Sequence, residues 1–257
     1  MQLPTVQGLI DRRMLLNYRV DANLVARLLP PPFRPKLAHG HAMAGICLIR
    51  LKHVRPTFFP LPIGVGSENA AHRFAVEWDD HGRRREGVYV TRRDTNSRFN
   101  ALVGGRLFPG EHHLAHFDVS ETTGYFQVNY QSLHAAAASR VRVSAHIAEA
   151  LPGSSVFKTI HEASEFFAGG ALGYSPGRHA GRFDALELRC KTWAVHPLDV
   201  QLVESSYFDN QTIFPPGCAV FDCALLMRNI SHQWQARPGM CCGQPAAFGP
   251  RPAADPQ

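Results

Sequence analysis

The chemistry-bearing residues of this sequence crowd into one run. Glu111-His112-His113-Leu114-Ala115-His116-Phe117-Asp118 is the densest titratable stretch in a chain with 14 histidines. Imidazole titrates near neutrality, so His112 and His113 are candidates for moving protons at a reacting centre. On a strand, His112 and His116 share one face and His113 takes the other; on a helix, His112 and His116 could share a metal. The H-E-x-x-H order is absent and no third ligand accompanies the pair, so no metal site is assigned. Upstream, Arg92-Arg93-Asp94-Thr95 offers guanidinium groups and a carboxylate. Taken alone, Asp94 reads as the N-cap of a helix that follows. Gly173-Tyr174-Ser175-Pro176-Gly177 has the G-x-S-x-G form of a nucleophile elbow. Pro176 has no N–H to give an oxyanion hole, so the segment reads as a turn and not a hydrolase site. His232, in the last strand, reads as a hydrogen-bonded core histidine.

These groups need a scaffold, and composition bounds it. The chain has 257 residues, 45% of them hydrophobic, enough for one sizeable core. No run approaches the roughly 18 apolar residues of a membrane helix. Asp11, Arg12 and Arg13 break up the N-terminal stretch where a secretory signal would need an apolar centre. The net charge is +6, yet the cations are scattered arginines apart from Arg83-Arg84-Arg85, which sits at a hairpin tip. That pattern argues against a nucleic-acid stripe and for a solvated turn. Cys47, Cys190 and Cys223 lie in apolar runs as small buried hydrophobes, and no C-x-x-C pair exists. A reducing cytoplasm is the expected compartment, with neither membrane nor nucleic acid as partner.

The elements read as mainly β. A short helix over 20–29 starts at Asp21 and stops at Pro30-Pro31-Pro32. Strands are expected over 44–54, 71–78, 87–92, 125–130, 140–148, 186–195, 200–207 and 219–230. The clearest is Arg140-Val141-Arg142-Val143-Ser144-Ala145-His146-Ile147, which alternates at period two. Two further short helices are expected, over 95–103 and 161–168, each ended by a glycine pair, the second suited to a left-handed cap. Together these features predict an antiparallel β-barrel or sandwich with a few short helices, a single domain over 1–237 and a flexible tail over 238–257. Such a barrel often encloses one small ligand.

Several segments give the chain a family resemblance. They are Asn17-Tyr18-Arg19-Val20-Asp21 with Leu28-Leu29-Pro30, Ser67-Glu68-Asn69, Arg92-Arg93-Asp94-Thr95, the run Gly104 to Ala115, Leu198 to Phe208 and Phe214 to Ile230. The chain resembles the acetoacetate-decarboxylase-like superfamily, in particular its uncharacterised bacterial branch of domain-of-unknown-function proteins. The likeness implies that fold, a cone-like β-barrel, and a homo-oligomer. In true decarboxylases of the superfamily, a Gly-Arg segment leads to two adjacent lysines, one of which forms a Schiff base with a β-keto acid. Here Glu68, Gly105-Arg106 and Pro109 match that pattern, and His112-His113 stand near the place of the lysine pair. An imidazole cannot form the iminium electron sink. Lys36, Lys52, Lys158 and Lys191 have no adjacent lysine and read as surface cations.

The resemblance therefore implies a cofactor-independent enzyme acting on a small carbonyl or carboxylate compound. His112 or His113 would be the general acid or base, Glu68 its partner, and Arg106, with Arg93 and Asp94, the substrate-binding groups. The reaction would be an enolisation, a dehydration, an aldol-type step or a decarboxylation, the last three lyase-type. The alternatives are a non-catalytic small-molecule-binding barrel and a barrel that serves only assembly.

Overall fold

A computed structural model describes residues 5–58, 64–104, 110–133 and 138–241. Along the chain run β1 (Val6–Val20), α1 (Ala22–Leu28), β2 (Arg34–Pro35), β3 (Leu37–Ala38), β4 (His41–Pro56), β5 (Val65–Asp80) and β6 (Arg83–Thr95). Then come α2 (Arg98–Val103), β7 (His112–Thr122), β8 (Tyr125–Ser132), β9 (Arg140–Ile147), α3 (Ile160–Ala168), β10 (Leu172–Pro176), β11 (Arg182–Cys190), β12 (His196–Ser205) and β13 (Ala219–Cys241).

The strands form one mixed sheet that closes on itself twice. A larger circuit runs β6-β7-β8-β9-β12-β13-β1-β4-β5 and returns to β6. A smaller one runs β11-β10-β6-β5-β4-β1-β13 and returns to β11. The long strands β1, β4, β5, β6 and β13 are shared, so each presents one face to each circuit. Period-two alternation then sorts their side chains. Met14, Leu16, Ile46, Leu48 and Leu226 join Val128, Val143 and Leu198 in the core of the larger circuit. Leu15, Cys47, Ile49, Leu225 and Met227 join Ala163 and Phe167 of α3 on the other side. A strand buried on both faces reads as a continuous apolar run, which is what Ala42 to Ile49 is.

The mainly β architecture with three short α-helices stands as expected, with differences that have physical causes. The sheet is not wholly antiparallel: β6 pairs in parallel with both β7 and β10. Strand β1 went unread because Asp11, Arg12 and Arg13 interrupt its apolar pattern, yet Arg12 is fully buried. Strand β10 covers the segment read as a turn. Helix α1 has the expected cap, with Asp21 Oδ1 accepting from the Leu24 N–H at 2.7 Å. Helix α2 is capped by Ser97, not by Asp94, which lies within β6. Gly169 is right-handed (φ −61°), and α3 passes into a short 3-10 turn instead of a left-handed cap. Strand β13 continues through 238–241, which had been assigned to the tail; 242–257 lie outside the described residues.

Candidate active site

The smaller circuit holds a half-open cavity of about 190 Å³. Ile49, Leu51, Val88, Val90, Leu186, Leu188 and Trp234 make its walls largely apolar, and Gly170 and Ala171, just after α3, contribute to one side. A cavity of about 150 Å³ holds a benzene, so this one suits a molecule of roughly six to ten heavy atoms.

Three arginines line it: Arg13 from β1, Arg73 from β5 and Arg93 from β6. Among the described residues, none of the three has a carboxylate partner. Arg13 donates to the Cys47 sulfur at 3.3 Å and lies over the Trp193 ring. Arg73 donates to Asn17 Oδ1 at 2.9 Å and lies over Phe167. Arg93 donates to Ser175 Oγ at 2.9 Å. The Nε atoms of Arg73 and Arg93 are buried with no partner. Burial pushes both guanidinium groups down to about 10, still charged at neutral pH. A buried charge without a counter-charge is costly, and a site that keeps several favours an anion.

His112 begins β7 and completes this cavity. The turn before it needs Gly110, whose φ of +79° and closeness to Arg93 and Ser175 leave no place for a side chain. A Cβ at Gly104 would likewise collide with the His112 ring. His112 Nδ1 lies 3.0 Å from the Gly110 carbonyl, to which it donates, so Nε2 carries the lone pair. Burial first, then the Arg93 charge, push this imidazole down to about 4, so it is a neutral base at pH 7. His112 and Arg93 also border a second, larger hollow of about 580 Å³, with Glu111, His113, Ser175 and Arg178. They therefore stand between two hollows.

The remaining sequence-derived candidates separate. His113 registers with Asp94 while His112 registers with Arg93, so alternation turns the two imidazoles to opposite faces. Asp94 borders the cavity, but both its oxygens accept from Arg92 at 2.7 Å. Arg106 falls within 105–109, outside the described residues. Glu68 is not brought to His112. It faces the larger circuit, where it takes Arg12 at 2.6 Å and Arg50 at 2.5 Å. Glu121 shares both arginines and adds Arg228. Burial pushes the Glu121 carboxyl up, but the Arg12, Arg50 and Arg228 charges outweigh it and hold it below its usual range.

Ser175, set aside as a turn residue, holds Arg93 in place. Arg13, Arg73 and Cys47 were missed. Arg73 did carry a signal: an arginine set among His72, Phe74, Ala75 and Val76 leaves no wet face for its charge. None of the four lysines, all described, lines the cavity. Lys36 is not a simple surface cation, since it is pinned by Glu86 at 2.7 Å and lies over the Phe166 ring. His232 is buried as expected, edge-on to Trp234, but its ring nitrogens lack the expected hydrogen-bond partner, and burial pushes it down to about 4. No helix among the described residues is long and apolar enough to cross a membrane.

The fold has relatives among solved structures. Acetoacetate decarboxylase from Legionella pneumophila aligns over 90% of this chain and 84% of its own, with TM-score 0.56 and 11% identity. An acetoacetate decarboxylase-like enzyme from Sphingomonas wittichii covers 92% of both chains, with TM-score 0.54 and 13% identity. The enduracididine biosynthesis enzyme MppR, complexed with pyruvate, aligns over 95% of this chain and 91% of its own, with TM-score 0.56 and 12% identity. At such identities the likeness establishes the acetoacetate-decarboxylase-like fold and not the reaction. No curated protein matches the sequence. Over residues 10–221 the sequence matches the family of uncharacterized conserved proteins DUF2071, and the chain belongs to that family.

Proposed function

We propose that the protein is a cofactor-independent enzyme acting on a small oxo acid or related carboxylate inside the smaller circuit. The observation that carries this is the trio Arg13, Arg73 and Arg93, which line an apolar cavity and lack a carboxylate partner among the described residues. Guanidinium groups bind a carboxylate through paired N–H donors, and apolar walls accept the rest of a small acid. The pyruvate held by a fold neighbour supports the substrate class. His112 Nε2, neutral at pH 7, takes a proton from the carbon beside the carbonyl and returns it later in the cycle. The arginines favour the enolate that forms. Enolisation of this kind is the elementary step shared by dehydration and aldol-type cleavage. Glu68 has a structural role in this reading, and Asp94 acts by holding Arg92. We keep the cytoplasm as the compartment and a homo-oligomer as the working form, which fractionation and light scattering read directly.

The largely apolar wall favours one second reading, a binding protein without turnover. Proton–deuterium exchange at the methyl carbon of pyruvate, followed by NMR, separates the two. The enzyme reading expects exchange with the native protein and a loss of about 100-fold or more in His112→Ala, with pyruvate still bound. Pyruvate binding with no exchange, or undiminished exchange in His112→Ala, would contradict it.

A further inference from the structure

Cys47 lies on the cavity face of β4 and lines the same chamber. Its sulfur accepts from Arg13 Nε at 3.3 Å. Arg73 and Arg93 line the same chamber. A second observation points to a ligand beside it. Arg73 is only 6% exposed and borders the cavity, and its Nε has no partner. Cys223 shows the contrast: it is fully buried, accepts from the Asn17 amide at 3.8 Å and does not line the chamber.

We infer that Cys47 is a nucleophile that adds to the electrophilic carbon of a small carboxylate held by Arg73 and Arg93. The inference rests on the carboxylate site proposed above; the adduct has no ketone carbonyl and does not enolise, so the addition is a separate, reversible event at that site. With an oxo acid, a sulfur electron pair forms the C–S bond and the carbonyl π pair moves to oxygen. The thiol proton ends on that oxygen as a hydroxyl. Nothing is oxidised or reduced, no co-reactant is consumed, and the addition reverses when the product leaves. A cysteine packed merely as a small hydrophobe needs neither the Arg13 donor nor access to the chamber.

Competitive alkylation tests this on the intact protein. Iodoacetate and iodoacetamide deliver the same electrophilic carbon, one on an anion and one on a neutral amide. Each adduct is located by peptide mass mapping, with Cys218 and Cys241 as internal references. The expected result is that Cys47 reacts about tenfold faster with iodoacetate than with iodoacetamide, corrected for the ratio at the reference thiols. Pyruvate should slow that reaction, and Arg93→Gln should bring the corrected ratio near one. Arg73→Gln gives a second variant should the first fold poorly. Pyruvate binding by calorimetry with no adduct on Cys47 from either reagent overturns the nucleophile and leaves the carboxylate site standing. Equal corrected rates with no pyruvate protection overturn both.

Discussion

Arg12 and Arg13 are neighbours on one strand and live in opposite electrostatic worlds. Arg12 faces the larger circuit and is fully buried against Glu68 and Glu121, which also share Arg50. Arg13 faces the smaller circuit and meets the sulfur of Cys47, that of Met227 at 3.9 Å and the Trp193 ring. The first cluster is charge-compensated and borders none of the described cavities. The second is uncompensated and surrounds one. Arg12 Nε also lacks a hydrogen-bond partner, so the contrast lies in the counter-charge: compensated buried charges are neutralised within the fold, whereas charges left open in a cavity are neutralised when something binds.

The contrast breaks most visibly by removing one arginine from each cluster. Arg12→Met leaves two buried carboxylates short of a partner and should lower the unfolding free energy by about 3–5 kcal/mol in a denaturant titration. Arg93→Gln should do the opposite for stability, leaving it unchanged or raising it, because an uncompensated charge is gone. Its cost should fall on pyruvate affinity instead, by about 10- to 100-fold in calorimetry. Equal stability losses in the two variants would erase the distinction between the clusters.

A smaller effect sharpens it through pH. Burial holds His72 at about 3, and His112 and His232 at about 4, against an ordinary 6.5. The unfolded chain therefore takes up protons between about pH 6.5 and 4 that the folded chain refuses. Stability should be full above 6.5 and fall as pH drops through that window, by up to about 1.4 kcal/mol per pH unit for each histidine. Denaturant midpoints across pH 4–7 measure this, and His112→Ala should shallow the slope by one histidine's share. A flat profile would mean that the histidines are solvated and the cavity wall is open.

The sequence was most legible where one face of a strand is wet. Arg140 to Ile147 alternates cleanly and is β9. The helix over 161–168 is α3 within one residue. It was least legible in the shared strands, which are buried on both faces and so lose the period-two signal. A charge placed there beside other charges, as Arg12 is, looks like a surface residue in one dimension. The site suffers from the same effect. His112 and Arg93 stood out because their neighbours are polar, while Arg13 sat in a charged N-terminal stretch, Arg73 in an expected strand and Cys47 in an apolar run. Glu68 carries the family pattern, but a carboxylate's face depends on register, and β5 turns it away from His112.

One titration reaches the centre of all this: the affinity of pyruvate against that of its neutral amide, pyruvamide, by calorimetry on the same protein. Three guanidinium groups without a counter-charge predict that the acid binds at least about tenfold more tightly, and that Arg93→Gln removes most of the difference. Equal affinity for acid and amide in the native protein would mean that the arginines do not serve an anion, and the carboxylate site would fall.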